Sequence, residues 1–208
     1  MRTQTFILLI MNCEKYRKKA QLQKEGWLQN IPGELIYYHV IGKYDLHMDY
    51  FFNDTENILY VKTLDDYNSL PDKVISAYAA VYAEFNFQYI FKTDDDQHLT
   101  KPYLLNQWMN TILNTNPNYG GKLITINTHI SQYYLVHSEL PKNIILNATQ
   151  YCNGRFYFLS KQSVQNLITK RNLFKDEYFE DYAVGHYLDL NIKSNFMRID
   201  NDVFVDNV

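Results

Sequence analysis

The chain has 208 residues, 46% hydrophobic and 21% charged, a composition that builds a sizeable core and excludes a disordered or fibrous protein. Its formal net charge of -3, with no dense basic run beyond Lys15 to Lys19, removes any global electrostatic reason to bind nucleic acid. The best apolar run, Phe6 to Met11, is of strand length, short of the ~18 residues that span a bilayer, and carries no signal-cleavage pattern, so a soluble, cytoplasmic protein is expected.

Thr5 to Met11 reads as a first strand and Glu14 to Leu28 as a helix whose Ala20, Lys24, Trp27 and Leu28 share a face. Leu35 to Ile41 and Ile58 to Val61 read as strands, the second after the polar turn Asn53 to Glu56. Ser69-Leu70-Pro71-Asp72 starts a helix, with Pro in its first turn, and Val74, Tyr78, Val81 and Phe85 form its apolar stripe. The aromatic and β-branched run Phe87 to Phe91 is a buried strand. Thr100 is expected to cap a helix buried through Leu104, Leu105, Trp108, Met109, Ile112 and Leu113, which Asn114 to Asn118 ends. Lys122 to Asn127 and Arg155 to Leu159 follow as strands, Ser160 caps a helix through Val164, Leu167 and Ile168, and a last helix holds Asp181 to Leu188. This alternation predicts an α/β sandwich with a mainly parallel sheet, organised as a single domain over residues 1–208. Cys13 and Cys152 are too few for a disulfide scaffold and read as two reduced thiols, a single bridge being the alternative.

Asp94-Asp95-Asp96 comes directly after the buried strand, where α/β sheets place their ligand crevices. Three adjacent carboxylates repel one another, and a hard divalent cation with water and phosphate as further ligands relieves that repulsion. Taken alone the triplet reads first as a solvated acidic turn, as most charge runs are surface decoration. Glu180-Asp181 opens the last helix, whose N-terminus favours an ionised carboxylate suited to a general base, with simple capping as the alternative role. The 19 Tyr and 12 Phe are enough to supply sugar-stacking surfaces, although core packing accounts for most of them.

Four segments then stand in order. Asp65 to Lys73 follows D-x-Y-x-N-L-T-x-K at Asp65, Tyr67, Leu70 and Lys73, with Ser69 and Pro71 replacing Asn and Thr. Lys92-Thr93-Asp94-Asp95-Asp96 matches K-x-D-D-D, and Tyr151 to Ser160 fits Y-x-x-G-x-x-Y-x-L-S. Glu180 to Gly185 fits E-D-V-x-V-G with Tyr182 in place of Val. Together they resemble the β-1,3-glycosyltransferase family of galactosyl-, N-acetylglucosaminyl- and Fringe-type enzymes, over most of the chain. The resemblance implies a GT-A fold with a Rossmann-like sheet, a UDP-sugar donor, a glycan acceptor, and Mn²⁺ (or Mg²⁺) held on the diphosphate by Asp96 with Asp94. It places Asp94, Asp95, Asn12 and Lys73 in the donor site and makes Asp181 the base that deprotonates the acceptor hydroxyl, with inversion. Lys73 and Lys92 also read as ion-pair partners that orient carboxylates.

Family members carry a metal-binding His downstream of the fourth segment, whereas the last His here, His186, lies just past it; Asp200, Asp202 and Asp206 are the expected substitutes, to complete coordination or to close over the donor. Family enzymes are also anchored by an N-terminal membrane helix, so the chain is either a cut domain or a soluble branch, and its many Asn, Lys, Ile and Tyr residues point to an AT-rich parasite or large-virus genome. The alternatives to an inverting transferase are a retaining one, in which Asp181 positions the donor, and a non-catalytic carbohydrate-binding module. The segment from Thr128 to Asn143 and the tail from Asp200 to Val208 are expected to shape the pocket.

Overall fold

The structure, a computed structural model, describes residues 1–200 and 202–206. Asn201, Asn207 and Val208, part of the tail expected to shape the pocket, lie outside the described residues. The elements run β1 (Arg2–Met11), α1 (Arg17–Glu25), β2 (Leu35–Gly42), β3 (Tyr50–Asn53), β4 (Ile58–Val61), α2 (Leu70–Glu84), β5 (Phe85–Asp94), β6 (Gln97–Leu99) and α3 (Tyr103–Thr115). They continue as β7 (Tyr119–Ile126), β8 (His129–Ile130), β9 (Ile145–Leu146), β10 (Thr149–Ser160), α4 (Lys161–Thr169), α5 (Arg171–Lys175), α6 (Glu180–Tyr187), α7 (Leu190–Lys193), β11 (Phe196–Arg198) and β12 (Phe204–Asp206).

Eight strands form the main sheet in the order β11-β7-β10-β5-β1-β2-β4-β3. Its centre, β5-β1-β2-β4, is parallel, while β10 runs antiparallel to both β5 and β7, and β3 antiparallel to β4. The sheet is therefore mixed, with the parallel share set by the β-α-β crossovers of α1 and α2. β1 is buried on both faces, as a near-continuous apolar run requires: Ile7, Leu9 and Met11 pack with α2, α4 and α6, while Phe6, Leu8 and Ile10 pack with Trp27 and α3.

Several local expectations are corrected. Gly26 breaks the first helix, so Trp27 and Leu28 are buried from a short 3-10 turn, Trp27–Asn30, and not from α1. Thr100 caps nothing: its hydroxyl donates to the Val203 carbonyl, and α3 starts after Pro102. Leu113 is exposed, so the apolar face of α3 is narrower than its sequence stripe. Ser69 makes no side-chain cap either; Asp66 Oδ1 accepts its backbone N–H at 2.8 Å, and α2 opens on Leu70 with Pro71 in its first turn, as expected. Ser160 does cap α4, accepting from Ser163 N at 3.2 Å. Cys13 and Cys152 are both free thiols. Among the described residues no helix is long and apolar enough to cross a membrane.

Candidate active site

The strand ends of β1 and β5 open into a cleft of about 1590 Å³, walled by Asn12, Asp65, Lys73, the triplet Asp94 to Asp96, Tyr151 and Asp181. This is the carboxyl edge of the parallel strands, where the side chains no longer belong to the core and converge on a ligand.

Asp94 ends β5, and the next two carboxylates stand in the turn to β6. A layer of buried polar groups fixes that turn from below. Gln23 Nε2 donates to the Asp94 carbonyl at 3.0 Å and to the Gln97 carbonyl at 2.7 Å, and Trp27 Nε1 reaches the Gln97 carbonyl at 3.2 Å. Those two bonds fix which end of the amide is which; Gln23 Oε1 accepts, so His39 donates to it through Nε2 at 3.0 Å, and among the described residues its Nδ1 has no partner. Sequence reasoning passed over Gln23 and His39; a glutamine on the inner face of an amphipathic helix and a histidine inside an apolar strand were the available signals.

The side chains of the triplet point to different partners. Asp94 pairs with Lys92 at 2.8 Å. Asp95 is buried, which pushes its carboxyl up to about 7 against the pull of Lys19 at 3.7 Å. Asp96 accepts from Gln97 Nε2 at 2.9 Å. Lys92, 1% exposed, also pairs with Glu180 and donates to the Gly154 carbonyl at 3.0 Å. Glu180 in turn accepts from the Tyr157 hydroxyl at 2.8 Å, and Tyr157 meets Tyr78 at 2.7 Å. Burial raises the carboxyls of Asp94 and Glu180, and Lys92 opposes it.

Asp181 is reached through a bulge. The β10–β7 register shifts between Cys152 and Tyr157, which frees the peptide groups of Asn153 to Phe156 from the ladder. Gly154 N, so released, donates to Asp181 Oδ2 at 3.0 Å, and Tyr182 N donates to Asp181 Oδ1 at 2.7 Å. A Cβ on Gly154 would come within 3.3 Å of both Asp181 Oδ2 and Glu180 Oε1, which explains the glycine. Burial raises the Asp181 carboxyl, with Lys92 and the two backbone amides opposing.

At the other end of the cleft Lys73, 4% exposed, donates to Asp65 Oδ1 at 2.9 Å and to the Asn12 carbonyl at 2.7 Å. Asp65 also accepts from Gly42 N at 2.8 Å and Glu14 N at 2.7 Å, so one carboxylate ties together the ends of β1, β2 and α2. Among the described residues Asn12 Nδ2, in this wall, is a buried donor without a partner. The segment between β7 and β10 closes one side of the mouth, where His137 stacks on Tyr67 at 4.1 Å and Tyr133 on His137 at 5.0 Å. Asp206, from the tail, also lines the cleft.

Among the described residues no group of three or more His, Cys, Asp and Glu side chains forms a metal cage. What the acidic turn offers is a smaller set of hard oxygen donors, Asp96 with Asp206 across Gln97, and the buried Gln97 Oε1 has no partner. In chemistry those oxygens suit a hard divalent cation, though two carboxylates alone do not enclose one.

Among solved structures the chain resembles a glycosyltransferase involved in the glycosylation of the major capsid of PBCV-1, at 11% identity and a TM-score of 0.53, covering 94% of this chain and 82% of that one. It also resembles the glycosyltransferase GlyE of Streptococcus pneumoniae TIGR4, at 11% identity and a TM-score of 0.51, covering 96% of this chain and 46% of that one. No curated protein sequence matches it. The galactosyltransferase family profile matches residues 23–198, spanning the acidic turn, the bulge and α6; the chain belongs to that family and is a glycosyltransferase.

Proposed function

We propose that the protein transfers a sugar from a UDP-sugar to a hydroxyl of a glycan acceptor, in a divalent-cation-dependent reaction that inverts the anomeric centre. The observation that carries this reading is the convergence on one cleft of the acidic turn and of Asp181, the latter held by two backbone amides and a bulge built for it. Asp96, with Asp94 beside it, would hold Mn²⁺ or Mg²⁺, which when bound neutralises the charge that develops on a departing diphosphate. Asn12 offers its free amide donor to the nucleotide, and Lys73 keeps that wall in place through Asp65. Asp95 faces the donor's sugar or ribose.

Asp181 takes the proton of the acceptor hydroxyl. Its amide donors keep the carboxylate oriented, and burial raises its proton affinity above that of an ordinary aspartate, both of which suit a base. Inversion then requires the hydroxyl to approach opposite the leaving diphosphate, from the side walled by Tyr67, Tyr133 and His137.

Isothermal calorimetry with UDP tests the donor site. Binding is expected with Mn²⁺, lost with EDTA and lost in Asp96→Ala; no binding under any condition would leave the glycan-binding module as the better reading. Asp181→Asn should retain UDP binding and lose about 10²–10⁴-fold in turnover, the span a general base contributes. A product with the donor's anomeric configuration would instead make Asp181 a donor-positioning group.

A further inference from the structure

The cleft is divided by chemistry. Apart from Glu139, its charged side chains, among them Lys19, Asp65, Lys73, the acidic turn and Asp181, come from outside the segment between β7 and β10. From Leu123 to Ser138 the chain carries no Asp, Glu, Lys or Arg, and the first charged residue after that run, Glu139, faces His137 Nδ1 at 3.5 Å. Such a wall holds out no fixed charge to an ionic acceptor, so what it selects is neutral.

The segment has a small core of its own, in which Leu140, Ile144 and Leu146 are buried with Tyr182. Leu135 and Val136 stay out of it: both line the cleft, yet they are 72% and 73% exposed. Two adjacent aliphatic side chains left in water inside a ligand cleft, where the same segment folds three others away, form a ledge for a further apolar body. The ledge is continuous with the pile of rings at the mouth, since Leu135 and Val136 lie in the chain between Tyr133 and His137, which stack at 5.0 Å. Its main-chain donors are spent: Leu135 N donates to the Gln132 carbonyl, and Val136 N and His137 N both donate to the Tyr133 carbonyl. A peptide laid there would find none of these N–H groups free to pair with, whereas a hydrocarbon chain needs none.

Resting on the transferase reading, we propose that the acceptor is a neutral glycoside of a hydrocarbon chain, its sugar against the pile of Tyr67, His137 and Tyr133 and its chain leaving the cleft over Leu135 and Val136. Flat rings suit the C–H face of a pyranose, and the ledge withdraws hydrocarbon from water as the acceptor seats. The length of the chain then governs acceptor affinity, while the charged end of the cleft serves the donor alone.

Matched methyl and octyl β-glycosides of glucose, galactose and N-acetylglucosamine, each kept below its micelle concentration, test this by calorimetry on the full chain with UDP and Mn²⁺ present. For at least one sugar the octyl member should bind about tenfold or more tighter than the methyl member, because each methylene withdrawn from water adds affinity. The double variant Leu135→Ser with Val136→Ser should cut that advantage below about threefold. Leu190→Ser, which removes an equally exposed leucine outside the cleft, should leave it whole. All three side chains are exposed, so circular dichroism should match the wild type throughout. Equal affinity for the two members, or no binding of either, in a wild type that binds UDP overturns the assignment and leaves the transferase reading standing. An octyl preference that survives the double variant, or that Leu190→Ser abolishes, seats the chain elsewhere and overturns it too. A glycopeptide with the same sugar on a serine between two leucines, if it outbinds the octyl glycoside and loses that lead in the double variant, gives the ledge to a protein acceptor instead. If the wild type binds no UDP, the transferase reading falls and the acceptor assignment with it.

Discussion

Lys92 has two carboxylates to serve, Asp94 and Glu180, and almost no water to help it. Removing the cation strands both acids, so Lys92→Met should lower stability by about 3–5 kcal/mol in urea unfolding, the cost of breaking a buried pair from one side. A loss below about 1 kcal/mol would mean that the acids relax to water or to the tyrosines. His39 gives the pH counterpart. Burial, with the charge of Lys24 adding, pushes its imidazole down from 6.5 to about 3. The unfolded chain then binds a proton that the folded chain refuses, so the stabilising contribution is whole above pH 6.5 and is lost as pH falls from 6.5 toward 3, at about 1.4 kcal/mol per pH unit. Asp94, Glu180 and Asp181 have raised carboxyls and slope the other way, so the readout is the difference between wild type and His39→Leu measured across that range. A pH-independent difference would show that His39 titrates normally. Neither Lys92 inside an apolar strand nor His39 announces its partner in sequence, because Glu180 and Gln23 are brought to them only by tertiary packing.

Helix α6 depends on how closely it can approach β10. A Cβ on Gly185 would press into the Cα and Cβ of Tyr151 and come within 2.6 Å of the Gln150 carbonyl, backbone that cannot step aside. Gly185→Ala is therefore expected to destabilise by about 1–3 kcal/mol and to move Asp181 with the helix, lowering turnover beyond what the stability loss explains. Thermal unfolding with UDP affinity and turnover measured together separates the two effects; an unchanged rate would mean that turnover does not depend on where the helix holds Asp181. The helix starts show why some elements were readable and others were not. Ser160 caps α4 by itself, a local event that sequence reports faithfully. Thr100 has the same chemistry, but its hydroxyl is taken by Val203 from the far end of the chain. β3, β8 and β9 are short and lack the alternation that marks a strand, so the sequence does not announce the hairpins they form.

Across the molecule, the acidic turn, the Tyr151–Ser160 segment and α6 were legible as motifs because each needs particular residue types at fixed spacing, while the bulge inside the second was not. The polar layer beneath them was not, because Gln23, Trp27 and His39 meet the turn only once β1, β2 and β5 lie side by side. The sheet centre and the cleft walls should also differ in local stability. β1, with Ile7, Leu9 and Ile10 wholly buried, should hold the slowest-exchanging amides, while 128–147, whose Leu135 and Val136 are exposed, should exchange early and slow down only when an acceptor occupies the mouth. Hydrogen exchange followed by mass spectrometry reads both, and equal protection of the two regions would contradict the layering. The peptide that joins Asn153 to Gly154 and the one that follows it bind the Asp181 carboxylate through N–H and Lys92, just before the acidic turn, through C=O. Inherited changes in one motif are thus felt in the other two through a few ångströms of main chain, so their effects should be epistatic: a substitution harmless beside one partner becomes damaging beside another, and the three segments are constrained to drift as a set.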